Sequence, residues 1–318
     1  MTYIELFGGL IYLLMGGDLL VRGAVALSRR AHVDPLLVAL TIVALGTSLP
    51  ELVVSVQAAL SEHPGIALGN VVGSNIANVL LVAGAPAVIY PLVCSQGTER
   101  RDSAVMLGIS LLFGLLCLGG ELGRSEGMLL LAGFAFLSAF SIRAALAGRE
   151  RIKAERTAPM EWVVGLPTRK RMIFLFIAAG LVGLPVGANL FVDAVVGVAE
   201  SLGVGETIVG LTIVAVGTSL PELATTVVAA VQRHTDVAIG TVIGSNMFNL
   251  LAIMGAAAVT SPIGVPVPRG FLTIDVPVML VSATVLTVVV WTRGSIGRRI
   301  GGILLAAYLA YVTLLFLA

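Results

Sequence analysis

Residue n of this 318-residue chain matches residue n+171, without gaps, from about Asp18 to Leu92. Between 36–82 and 207–253 there are 25 identities in 47 positions. Whatever unit the first half builds, the second half builds again, so a site made of matched residues is present in two copies. The matched residues are not mainly packing residues. Gly46-Thr47-Ser48-Leu49-Pro50-Glu51-Leu52 recurs letter for letter as Gly217-Thr218-Ser219-Leu220-Pro221-Glu222-Leu223. Gly69 matches Gly240, Gly73-Ser74-Asn75 matches Gly244-Ser245-Asn246, and Asn78 matches Asn249.

The surroundings of these polar residues are apolar. Only 12% of the chain is charged and mean hydropathy is +1.04, whereas a soluble domain carries about 25% charge. Apolar runs long enough to cross a hydrocarbon core of about 30 Å recur at 3–25, 36–60, 66–90, 103–119, 127–147, 172–197, 207–231, 237–260, 271–292 and 299–317. The expected fold is therefore all-α, a polytopic membrane protein of ten transmembrane helices. The longest polar segment, about 148–171, leaves no room for a soluble domain. Met1-Thr2-Tyr3-Ile4-Glu5 lacks the basic start and small-residue cleavage site of a signal peptide, so 3–25 reads as a retained helix. Cys94 and Cys117 show no metal spacing and indicate neither a disulfide nor a catalytic thiol.

Arg and Lys gather in every second loop: Arg29-Arg30, Arg100-Arg101, Arg233, then Arg293, Arg298 and Arg299. The central segment holds Arg149, Arg151, Lys153, Arg156, Arg169, Lys170 and Arg171, while the intervening loops contain only Arg124 and Arg269. The positive-inside rule makes the basic loops cytoplasmic and both termini extracytoplasmic. The chain then divides into a first five-helix repeat at 1–147, a cytoplasmic basic linker at 148–170 and a second five-helix repeat at 171–318. An odd number of helices per repeat turns the second copy upside down. Two inverted repeats form the architecture of secondary transporters, with the substrate held near the midplane where they meet. A duplicated scaffold without transport is the plainer alternative, but it would match at apolar rather than polar positions.

A carboxylate in hydrocarbon marks a functional site by default. Pro50 lacks an amide hydrogen and interrupts its helix, which is expected to release carbonyls such as those of Ala44 and Thr47. Thr47, Ser48 and Glu51 are spaced to face one cavity. Ser74 and Asn78, four apart, share a face of the next helix, and Thr218, Ser219, Glu222, Ser245 and Asn249 repeat the pattern. The donors are all oxygens, the set that suits hard cations, with six to eight around Ca²⁺ at roughly 2.3–2.6 Å. No Lys or Arg lies in the four motif-bearing helices, so no intrahelical ion pair neutralises Glu51 or Glu222. Gly69, Gly73, Gly240 and Gly244 predict close helix packing, pressing the Ser/Asn helices on the Glu helices. Asn75 and Asn246 fall off that face and are expected to bond between helices. Asp18 and Arg22 read as a pair, with Arg22–Asp193 as a second option, and Asp275 as interfacial.

The pattern G-T-S-x-P-E followed by G-N/T-x-x-G-S-N-x-x-N, twice in inverted halves, resembles the sodium/calcium exchanger branch of the cation/calcium antiporter superfamily, in its prokaryotic form without a regulatory domain. The resemblance implies that the first and sixth helices slide across a core whose second, third, seventh and eighth helices hold the ions. It implies a Ca²⁺ site of the Glu51 and Glu222 carboxylates with the carbonyls of Thr47 and Thr218. Flanking Na⁺ sites would add the hydroxyls of Ser48, Ser74, Ser219 and Ser245 and the carbonyls of Ala44 and Ala215, with Asn78 and Asn249 completing the centre. Many relatives carry Asp where this chain has Asn249, and in the potassium-dependent branch that acid is tied to K⁺ use. Asn249 therefore argues against K⁺ co-transport.

The expected function is Na⁺/Ca²⁺ antiport by alternating access in a plasma or bacterial inner membrane. The expected partners are inorganic cations and lipid, with no cofactor, no nucleic acid and a monomer sufficing. A proton-coupled divalent-cation antiporter is the nearest rival, although its G-N-x-x-E type of motif differs from the T-S pair here. An intramembrane enzyme lacks a base near Ser48 or Ser219, since His32, His63 and His234 fall at loops. A channel would be told from a carrier by the absence of saturable counterflow.

Overall fold

The computed structural model describes residues 2–61, 63–94, 97–155, 166–201 and 215–317. The protein is built mainly of helices. In chain order they are α1 (Thr2–Ala31), α2 (Pro35–Thr47), α3 (Leu49–Leu60), α4 (Pro64–Ile89), α5 (Thr98–Cys117) and α6 (Arg124–Glu155). The second half gives α7 (Lys170–Ser201), α8 (Ala215–Thr218), α9 (Leu220–Val231), α10 (Thr235–Thr260), α11 (Phe271–Arg293) and α12 (Arg298–Leu317). Among the described residues seven of these are long and apolar enough to cross a membrane, or eight if α2 and α3 form one bent span. α5 and α9 stand at the expected fourth and seventh spans. The 207–214 part of the seventh lies outside the described residues.

Local chemistry sets the helix ends. Asp34 caps α2 by accepting the Leu36 amide at 2.9 Å, and Pro35 supplies the preset first turn. Gly294, at φ 61°, ends α11 in the left-handed conformation that favours glycine. Hydropathy locates the bilayer better than the helix, and two boundaries are corrected accordingly. α5 starts at Thr98 rather than 103, taking the buried Glu99 and Asp102 into its first turns. α6 runs to Glu155 rather than 147, because Arg149–Glu155 contains good helix formers and no proline.

Burial separates core from rim. The most apolar 18-residue stretches of α10 and α4 are 100% and 72% buried, against 11% for α6 and 17% for α12. α6 and α12 therefore lie at the rim, with Phe136 of α6 74% exposed, and the two Ser/Asn helices form the centre. A two-residue strand β1 (Leu92–Val93) pairs antiparallel with β4 (Ser295–Ile296), and β2 (Glu121–Leu122) with β3 (Val265–Pro266). Each tiny ladder joins a loop of the first half to a loop of the second.

Glycines bring helices of the two halves into backbone contact. Gly84 and Gly301 face each other, as do Gly127 and Gly255: a Cβ on any of these would meet the partner's carbonyl at 2.7 to 3.1 Å. α1 and α7 run antiparallel along a longer seam, where Gly9 meets Gly187 and Phe191, Gly16 meets Gly183 and Leu184, and Gly23 meets Phe176 and Ile177. A Cβ on Gly180 would lie 2.7 Å from Leu20 Cβ and 2.8 Å from the Gly16 carbonyl. Gly180→Val is accordingly expected to lower stability by about 1–3 kcal/mol, read as a drop in the unfolding midpoint of the detergent-solubilised protein. On α1 the expected Asp18–Arg22 pair forms at 2.9 Å, and Gln232, just past α9, donates to the same Asp18 oxygen. Asp275 accepts the Tyr311 hydroxyl at 2.7 Å.

Candidate functional site

The duplicated heptapeptide breaks its helix in both copies. Ser48 adopts φ −89°, ψ 10° and Ser219 adopts φ −89°, ψ 2°, off the helical values, and the axis from α2 to α3 bends by 47°. The break centres on the serine rather than the proline: Pro50 and Pro221 sit in the first turns of α3 and α9, where a missing amide hydrogen is harmless. Backbone bonding is interrupted between Ser48 N–H to the Ala44 carbonyl (3.1 Å) and Leu52 N–H to the Ser48 carbonyl (3.1 Å). Among the described backbone bonds this leaves out the Thr47 carbonyl, as expected. It does not leave out that of Ala44, which accepts both Ser48 N–H and, at 3.3 Å, the Thr47 hydroxyl. The motif glycines make room for α7, whose Leu181 and Val192 lie over Gly46 and Gly217.

The break aims the side chains inward. Glu51, Glu222, Thr47, Ser48, Ser219, Ser74, Ser245, Asn78 and Asn249 are all at least 95% buried, while Thr218 is partly buried. Across the two halves, the Ser48 hydroxyl donates to Glu222 Oε1 at 2.7 Å and lies 3.2 Å from Ser245 Oγ, which is itself 3.5 Å from Glu222 Oε1. Residues 174 positions apart thus meet in one cluster. Glu51 Oε2, Glu222 Oε2, Ser219 Oγ, Asn78 Oδ1 and Asn249 Oδ1 are buried without a hydrogen-bond partner. An unsatisfied buried oxygen is expensive unless something electropositive meets it, and these five suit a cation; Asn75 Oδ1 and Asn246 Oδ1 of the same motif set are unpartnered as well. No group of three or more His, Cys, Asp or Glu suited to a metal occurs among the described residues. The array therefore depends on hydroxyl and amide oxygens beside its two carboxylates.

Two features were not visible in the sequence. α4 and α10 each contain a π-helical turn, Asn78–Val82 and Asn249–Ile253, starting at the matched Asn in both copies. Such one-turn bulges cluster at functional sites, and the duplication of the Asn is the one signal that points to them. Thr226, whose hydroxyl reaches the Val82 carbonyl at 3.2 Å, fixes the first bulge against α9. The glycine expectation holds in the second copy alone and in a cross-repeat form: Gly240 and Gly244 of α10 abut Leu36, Ala39, Leu40 and Ala44 of α2, whereas a Cβ on Gly73 would meet nothing within 4 Å and one on Gly69 only Phe271 Cζ at 3.8 Å. Asn246 bonds between helices, to Met106 Sδ at 3.5 Å, but Asn75 turns back to the Val71 carbonyl of its own helix at 2.7 Å.

Apolar helices that bury a duplicated oxygen array around two unpaired carboxylates define a multi-pass membrane protein that handles cations. The family model of the sodium/calcium exchanger protein matches residues 2–143 and 172–317. The chain belongs to that family of cation/Ca²⁺ antiporters, whose members are secondary transporters and not enzymes. Inner membrane protein YrbG of Escherichia coli (strain K12) is 33% identical over 313 residues, covering 97% of this chain and 94% of that one. The sodium/calcium exchanger MaX1 of Methanosarcina acetivorans is 32% identical over 347 residues, covering 99% and 98%. Among solved structures, the sodium-calcium exchanger NCX_Mj soaked with zero Na⁺ and Ca²⁺ matches with a TM-score of 0.84 at 27% identity, over 99% of this chain and 98% of that one.

Proposed function

We propose that this protein exchanges Na⁺ for Ca²⁺ across the membrane by alternating access, through one site shared by two inverted five-helix repeats. The observation that carries the reading is the 2.7 Å bond from Ser48 of the first copy to Glu222 of the second, because a shared site requires contact between the copies. Ten spans and an inverted pair are supported by the antiparallel α1/α7 seam and by the reciprocal glycine pairs and loop ladders. In this reading the two repeats are 1–147 and 171–318, joined through 148–170, of which α6 takes 148–155. Both termini then face outward, and one chain suffices for one site.

Glu51 and Glu222 give the site a charge near −2 when ionised, which one Ca²⁺ neutralises or two or more Na⁺ neutralise by spreading over the flanking hydroxyls, amides and carbonyls. Thr47, Thr218, Ala44 and Ala215 would contribute carbonyls, though Ala44 gives only what its two existing bonds leave. Both loads need the same carboxylates, so they exclude each other. An empty site holds bare charge in a low-dielectric core, and its slow crossing would couple the two fluxes. α1 and α7, joined at their glycines, would move as one body over the motif breaks.

In proteoliposomes an outward Na⁺ gradient is expected to drive ⁴⁵Ca²⁺ uptake, and a pH gradient without Na⁺ to drive none. Uptake on the pH gradient alone would replace this reading by proton-coupled antiport.

A further inference from the structure

The two copies hold their carboxylates in different ways. Glu222 is held by its side chain, through the Ser48 and Ser245 hydroxyls at 2.7 and 3.5 Å. The corresponding contact in the other copy is not made: Ser219 Oγ and Glu51 Oε2 are both buried without partners. Glu51 is held instead by its main chain. The Asn70 amide on α4 donates to the Glu51 carbonyl at 3.2 Å and to Ser55 Oγ at 2.9 Å. Those two points are one turn apart on α3, directly after the break at Ser48, where the helix has just resumed and its first turn would otherwise fray. One side chain thus clamps the turn that carries Glu51 and occupies neither carboxylate oxygen. The second copy has no such clamp. Thr241 stands at the equivalent of Asn70, and its hydroxyl goes to Val237 of its own helix at 2.9 Å.

We propose that Asn70 is the positioning residue of Glu51, and that it makes the two carboxylates inequivalent: Glu51 is aimed by its clamped main chain with Oε2 unpartnered, and Glu222 is aimed by hydroxyls that engage its Oε1. The proposal rests on the cation site described above but needs no transport for its test. Two measurements on the full-length protein in detergent decide it: equilibrium binding of ⁴⁵Ca²⁺, and backbone hydrogen–deuterium exchange of the peptides spanning 48–55 and 219–226. Asn70→Ala is expected to weaken Ca²⁺ binding about tenfold, the scale of one lost buried hydrogen bond or slightly more, and to speed exchange at 48–55 while leaving 219–226 unchanged. Asn70→Asp, nearly the same shape but without amide hydrogens, should speed exchange in the same segment. Thr241→Ala should change neither measurement. Unaltered Ca²⁺ affinity in Asn70→Ala, or an equal rise of exchange in both segments, would overturn the positioning role. Native protein that binds Ca²⁺ in the Asn70-dependent way but shows no Na⁺-driven uptake would overturn the exchange reading alone.

Discussion

Glu51→Gln and Glu222→Gln are each expected to reduce Na⁺-driven ⁴⁵Ca²⁺ uptake to about 1% of the native rate or less, since removing one buried charge partner costs about 3–5 kcal/mol. Glutamine keeps the shape of the side chain and an acceptor oxygen, so in Glu222→Gln the Ser48 hydroxyl retains a partner and the packing survives. What is lost is one of two negative charges opposite a divalent ion, with no other acid in the motif set because both 78 and 249 are Asn. Protein stability separates this from misfolding. Without ions, both glutamine variants should unfold no lower than the native protein, because a buried neutral amide of the same shape costs no more to desolvate than a carboxylate. The native protein should gain about 2.7 kcal/mol from Ca²⁺ at a hundred times its dissociation constant, and both variants should gain much less. Ser48→Ala, which removes a donor and no charge, should retain measurable uptake. Normal exchange in either glutamine variant would rule out the two-carboxylate site.

The parts of this molecule that were legible in the sequence are those governed by long-range averages. Apolar runs gave helix positions, because hydrocarbon leaves the backbone no alternative to helices among apolar segments. The repeat at a fixed offset marked Glu51, Glu222 and the matched Ser and Asn residues as one set. Features set by single contacts were not legible. The bend lies at Ser48 because proline is tolerated in a first helical turn, so a proline inside an apolar run marks where a helix restarts as readily as where it kinks. Asn75 and Asn246 are identical by position and differ in bonding, because Asn246 has Met106 opposite it and Asn75 takes a carbonyl of its own helix. The residues at 70 and 241, Asn and Thr, differ within an otherwise matched motif. Their meaning appears only when Asn70 is seen across from the Glu51 turn.

Gly244→Ala is expected to destabilise the protein by about 1–3 kcal/mol and to reduce transport, whereas Gly108→Ala should leave both unchanged or raise stability by up to about 1 kcal/mol. The substitution is the same, and the surroundings decide its sign. Gly108 of α5 is exposed and a Cβ on it meets nothing within 4 Å, so alanine only removes the helix-weakening freedom of glycine. A Cβ on Gly244 would lie 2.7 Å from the Leu40 carbonyl and 2.8 Å from Ala44 Cβ. Those neighbours are main chain and a methyl with no rotamer to change, so α10 and α2 must separate. The separation acts directly on the site, because Ser245 is the next residue on α10 and Ser48 lies one turn beyond Ala44 on the opposing strand of contacts. Moving the helices apart lengthens the Ser48–Ser245 contact, now 3.2 Å, and loosens the hydroxyls that hold Glu222. Gly244→Val, with two further methyl-sized groups, should add to both losses. A thermal unfolding series over Gly108→Ala, Gly244→Ala and Gly244→Val, paired with ⁴⁵Ca²⁺ uptake, checks the order. Equal midpoints for the native protein and Gly244→Val would mean that α10 does not press on α2, and the cross-repeat contact would then need another explanation.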